Sequence, residues 1–139
     1  MKFARKLSCG TILILLSGMV AAEEYKTPAN MTNEDRQTLM AGSNEYEQCV
    51  TSSVRELAPR IGDPRALADA AMASCSNTLT AFAEGMATDN YHPDFSNYYI
   101  GRVKNRVANT AVQQAMIIVS QKQSQSFGKD QPDKPAVSE

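Results

Sequence analysis

Two cysteines, Cys49 and Cys75, stand 26 residues apart with a single strong chain break between them, and that arrangement constrains the fold more than any other feature of the sequence. The break is "RIGDPRAL" at 60–67. Pro59 ends whatever helix precedes it. Asp63 is a good N-cap and Pro64 falls at the first helical position, where its missing N–H costs nothing. A helix therefore starts at Pro64. The helix before the break starts near "MTNEDRQTL", where Thr32 can cap and Glu34 and Asp35 complement the macrodipole in the first turn. Its inner face reads Leu39, Gly42, Tyr46, Cys49, Val50, Ser53, Val54 and Leu57. The face after the break reads Leu67, Ala70, Ala71, Ser74, Cys75, Thr78, Leu79, Phe82 and Met86. Spacings of three and four residues identify both as helical stripes.

If these helices form an antiparallel hairpin, facing residues have numbers with a constant sum. Cys49 and Cys75 sum to 124, as do Leu57 with Leu67, Ser53 with Ala71, and Gly42 with Phe82. One register thus pairs the cysteines and seats a phenylalanine opposite a glycine. Packed helices about 8–10 Å apart bring facing Cα atoms within disulfide range. A bond closing a 26-residue separation contributes about 3.5 kcal/mol in the loop-entropy account. A disulfide between Cys49 and Cys75 is the expectation. A redox couple normally has closely spaced cysteines, as in C-x-x-C, and no basic residue or helix N-terminus is expected beside either sulfur. A metal site would need more soft ligands than this pair, His92 being the single histidine and the methionines being scattered.

The compartment fits that expectation. Lys2, Arg5 and Lys6, the apolar run Thr11–Val20 and the small residues of Val20-Ala21-Ala22 have the layout of a secretory signal peptide over 1–22. The run is too short to span a bilayer, and Cys9 precedes it, so Cys9 is not placed as a lipoprotein cysteine. Removing 22 of 139 residues leaves 117, enough for one small domain. The mature chain then carries 11 basic and 15 acidic residues, a net charge of −4. That balance has no global attraction for nucleic acid or anionic membrane. Two cysteines remain, an even count that favours a disulfide in an exported chain.

A third helix is expected to begin between Pro93 and Ser96 and to run to about Gln123, with Phe95, Tyr99, Val103, Val107, Thr110, Ala111, Ala115 and Ile118 facing inward. Residues 23–31 read as a flexible arm and 124–139 as a disordered tail. The expected fold class is all-α: a three-helix domain over 32–123, in which a disulfide-clipped antiparallel helical hairpin packs against a long third helix. This outline resembles small periplasmic helical proteins held by one disulfide, acid-stress chaperones among them. The resemblance carries no motif and transfers no functional residue.

The third helix holds the candidate surfaces. Arg102 and Arg106 share a face beside Tyr98 and Tyr99, in a pattern able to meet an acidic partner. "AMIIV" at 115–119 makes an apolar stripe too wide for one buried face, so Met116, Ile117 and Val119 are candidates for contact with a partner or an apolar ligand, unless the N-terminal arm encloses them. No phosphate loop, dinucleotide glycine motif, H-E-x-x-H or G-x-S-x-G occurs. His92, flanked by Tyr91 and Pro93, reads as a turn residue rather than a catalytic base. No cofactor and no catalytic residue is expected. The leading expectation is an exported, non-catalytic interaction or accessory protein, periplasmic or secreted, that presents the third helix to a protein partner. The alternatives are a small carrier or chaperone for an apolar ligand or segment and, with less support, a metal or redox protein.

Overall fold

Thr32 closes the first turn of the first helix. Its hydroxyl accepts from the Asp35 N–H at 3.1 Å, and the Asp35 carboxylate accepts from the Thr32 N–H at 2.8 Å. This reciprocal capping box opens α1, Asn33–Leu57. The structure, a computed structural model, describes residues 24–129. The expected signal peptide at 1–22 and the tail from 130 onward lie outside the described residues. α1 ends before Pro59, and Asp63 caps α2 (Pro64–Ser74) by accepting from the Ala66 N–H at 2.7 Å. α3 spans Ser76–Thr88 and α4 spans Pro93–Lys129. Among the described residues the fold is all-helical. The one ladder-type pairing among these residues is an isolated bridge between Lys26 and Tyr91.

The second expected helix is thus two helices, which makes four where the periodicity indicated three. The reason is local. The Ser74 hydroxyl donates to the Ala71 carbonyl at 2.8 Å and occupies the acceptor that the Cys75 N–H would use in a continuous ladder. The Cys75 N–H turns instead to the Met72 carbonyl at 3.3 Å, a tighter i→i+3 bond, with Cys75 at φ −100°, ψ 12°. The hydrophobic face survives the break, because Cys75 and Met86 remain buried in register with Leu67 and Ala71.

Cys49 and Cys75 are bonded, with their Cα atoms 6.0 Å apart. The register holds at the far end of the hairpin too. The Phe82 ring lies directly over Gly42, where an added Cβ would stand only 3.0 Å from the ring's Cγ and nearer still to two of its edge carbons. Gly42 is therefore a close-approach glycine. α4 covers both arms of the hairpin, and one core joins Tyr46, Val50 and Val54 of α1 to Leu67 and Ala71 of α2 and to Val103, Val107, Ala111, Ala115 and Val119 of α4. A second cluster of Leu39, Met86 and Tyr91, with Phe95 and Tyr99 against it, closes the other end.

The N-terminal arm, expected to be loose, is docked from residue 24 onward. The Lys26 N–H donates to the Asn90 carbonyl at 2.9 Å, and the His92 N–H donates to the Lys26 carbonyl at 3.0 Å. The Lys26 ammonium meets Asp35 at 2.7 Å, and the Tyr91 hydroxyl donates to the Asp35 carbonyl oxygen at 3.2 Å. Sequence periodicity carries no trace of this clasp, because it joins segments that share no repeat. α4 also runs beyond the expected end at Gln123, to Lys129. Nothing in Ser124–Lys129 stops a helix: the segment holds no proline, and its one glycine, Gly128, is next to last.

Candidate functional site

α4 begins at Pro93, with the imidazole of His92 acting as its cap. His92 Nδ1 accepts from the Asp94 N–H at 3.2 Å, and Tyr25 stands edge-on to the imidazole ring at 5.4 Å between centroids. His92 therefore has a structural task at the helix start.

Of the seven residues expected to form a partner surface, Tyr98, Tyr99, Arg102 and Arg106 line one surface groove, while Met116, Ile117 and Val119 lie farther along α4. Tyr98 and Arg102 are exposed and bound to each other. The guanidinium donates to the Tyr98 hydroxyl at 2.9 Å and lies 5.8 Å from the ring centroid. That hydrogen bond holds the arginine pKa above its ordinary value. One turn on, Arg106 reaches across to α1: it donates to the buried Ser43 hydroxyl and lies 3.7 Å from Glu47, fastening α4 to α1 while its side chain stays 56% exposed. Tyr99 also faces the bundle, packed between Phe82 and Phe95, with its hydroxyl 3.5 Å from the Leu39 carbonyl.

The apolar run divides by helical geometry. Ala115 and Val119, four apart, are buried against the hairpin. Val119 thus belongs to the core and not to a binding surface, and Ala115 offers no shelter to a ligand. Met116 and Ile117 point away from the bundle and are 57% and 56% exposed. The described part of the N-terminal arm, residues 24–31, does not enclose them, since it pairs with Asn90–His92 at the start of α4.

Sequence reading overlooked the charge pattern around these residues. From Phe95 to Lys129 the chain holds five basic residues and no carboxylate, whereas residues 24–94 hold eleven acidic residues and five basic ones. The signal was present as a simple count and was masked by the near-neutral total. α4 is a cationic helix laid on an acidic hairpin. Its exposed side carries Tyr98 with Arg102 near one end and Met116 with Ile117 farther along.

The disulfide region offers a different kind of chemistry. Contrary to expectation, a helix N-terminus does adjoin a cysteine, because α3 starts directly after Cys75. The Ser53 and Ser74 hydroxyls lie 3.5 and 3.9 Å from Cys75 Sγ. Both sulfurs are joined in the bond, and Cys75 is buried. Among the described residues, no group of three or more His, Cys, Asp or Glu side chains is placed to hold a metal ion. Nor is any described helix long and apolar enough to cross a membrane.

No family model matches the chain, and neither a curated protein nor a solved structure shows significant similarity to it.

Proposed function

We propose that the protein is an exported, non-catalytic accessory protein of the periplasm that presents α4 to a protein partner. The observation that carries this reading is the pair Met116 and Ile117, exposed side by side on a helix that has no carboxylate from Phe95 onward. Exposed apolar side chains within a cationic field suit a partner with apolar anchors set among acidic residues. The Tyr98–Arg102 pair adds a planar aromatic and a fork of donors on the same helix, both residue types favoured at contact hot spots. The signal-peptide layout and the disulfide support an oxidising compartment.

A photo-crosslinking side chain placed at Ile117, and another at Asn44 on the exposed side of α1 as a control, tests the reading in cells. The expected result is one discrete crosslinked protein from position 117, absent from position 44 and lost on Arg102→Glu with Lys104→Glu. Equal, diffuse labelling from both positions would refute it. The carrier alternative loses its original location, since Ala115 and Val119 face the core.

A further inference from the structure

An apolar groove of about 340 Å³ lies between α1 and α3, and no residue of α4 lines it. Its floor is the buried Leu39, Met86 and Tyr91 with the half-buried Phe82, and Ala41 and Ala81 stand exposed at its sides. Gly85 leaves it open: nothing lies within 4 Å of the place a Cβ would occupy there. The volume is within the range of small-molecule sites, about 300–1,000 Å³. Two carboxylates stand at its edge, Glu45 on α1 and Asp89 at the end of α3. No lysine, arginine or histidine lines it, whereas four other surface grooves each contain Arg55 or the Arg102–Arg106 pair. The C-terminal end of α3 adds its own partial negative charge beside Asp89. Lys26, which lies within the field of Asp89, is already tied to Asp35 at 2.7 Å.

We propose that this groove binds a small amphiphilic cation, with its apolar body against Phe82, Ala41 and Ala81 and its cationic head at the rim, in the field of the Glu45 and Asp89 carboxylates. An anionic amphiphile of the same body would meet two carboxylates and a helix C-terminus with no compensating cation. A neutral one would gain the apolar contact alone. The site is separate from α4 and stands or falls independently of the partner reading.

The test uses the disulfide-bonded protein and three probes with one tail: decyltrimethylammonium, decyl maltoside and decylsulfonate, each below its micelle concentration. Binding is followed through the amide resonances of Gly42 and Gly85. The expected result is saturable binding of the cation, about tenfold tighter than the sulfonate, with a preference that shrinks as salt rises. Gly85→Leu fills the groove and abolishes binding, while Gly101→Ala, on a glycine of α4 with open space around it, leaves binding unchanged. Glu45→Gln with Asp89→Asn alters exposed groups only, keeps the apolar contact and removes the cation preference. Equal affinity for the three probes would overturn the proposal. So would absence of binding, or a cation preference that survives the double substitution.

Discussion

Gly42→Ala is the sharpest test of how the hairpin is packed. A methyl group at that position would sit 3.0 Å from Phe82 Cγ and closer to two further ring carbons. Ordinary carbon contacts are about 3.5–4.0 Å, so the ring must retreat by roughly 1 Å. It is not free to do so without loss, because Phe82 stands edge-to-face with Tyr99 at 6.1 Å and 78°. Overpacking of this kind costs about 1–3 kcal/mol. Against it stands the helix-propensity gain of Ala over Gly, about 1 kcal/mol. The net expectation is a loss of about 1 kcal/mol. Gly101→Ala, with nothing within 4 Å, takes only the propensity gain and should stabilise by up to about 1 kcal/mol. Urea unfolding of the oxidised protein should therefore separate the two variants by about 2 kcal/mol. In a Phe82→Ala background the penalty at position 42 should disappear, leaving a coupling of more than about 1 kcal/mol in the double-mutant cycle. If Gly42→Ala stabilises as much as Gly101→Ala, or if the cycle shows no coupling, the close approach of α1 and α3 is not what this register requires.

Three further outcomes follow from the same contacts. Cys49→Ala with Cys75→Ala should lower stability by about 3.5 kcal/mol, the loop-entropy contribution of a 26-residue separation, read as a fall in urea midpoint. Ile117→Asp, on an exposed position, should change stability by less than about 0.5 kcal/mol, whereas Val119→Asp buries a carboxylate in the core and should cost several-fold more; equal effects would mean that the faces of α4 are wrongly placed. The Lys26 ammonium, with the Thr32 N–H and hydroxyl, holds the Asp35 pKa down to about 2 from its ordinary 3.8. A depressed folded pKa stabilises above the unfolded value and loses that contribution as pH falls through the folded one. The melting-temperature gap between the parent and Asp35→Asn should accordingly be constant above about pH 5 and close as pH approaches 2.

The ends and faces of the elements were legible wherever their cause is local. Thr32 caps α1 and Asp63 caps α2 through side chains that reach the backbone three residues on, and Pro64 and Pro93 open helices because their rings preset φ. The Cys49–Cys75 register followed from helical periodicity alone, since two stripes that face each other must run in opposite directions from one turn. Even so, the same periodicity hid the division at Cys75. An apolar stripe continues across a break when the break keeps phase, and the competing Ser74 hydroxyl is a hydrogen-bond choice, not a pattern.

Of the candidate surface, the sequence alone determined the composition of α4, including its want of carboxylates after Asp94, and limited the apolar run at 115–119 to one helix. Only the tertiary structure decided that Val119 is core while Ile117 faces outward, because the axis of α4 is rotated by what the hairpin offers it. The same holds for Arg102 and Arg106, four apart and equivalent on a helical wheel. One bonds to its own helix at Tyr98 and the other crosses to Ser43 of α1. The groove between α1 and α3 exists only because helices meet at a distance set by Phe82 on Gly42, a contact between residues forty positions apart. Local hydrogen bonds and periodicity act within one element. Exposure, partner choice and open space depend on where several elements are held at once.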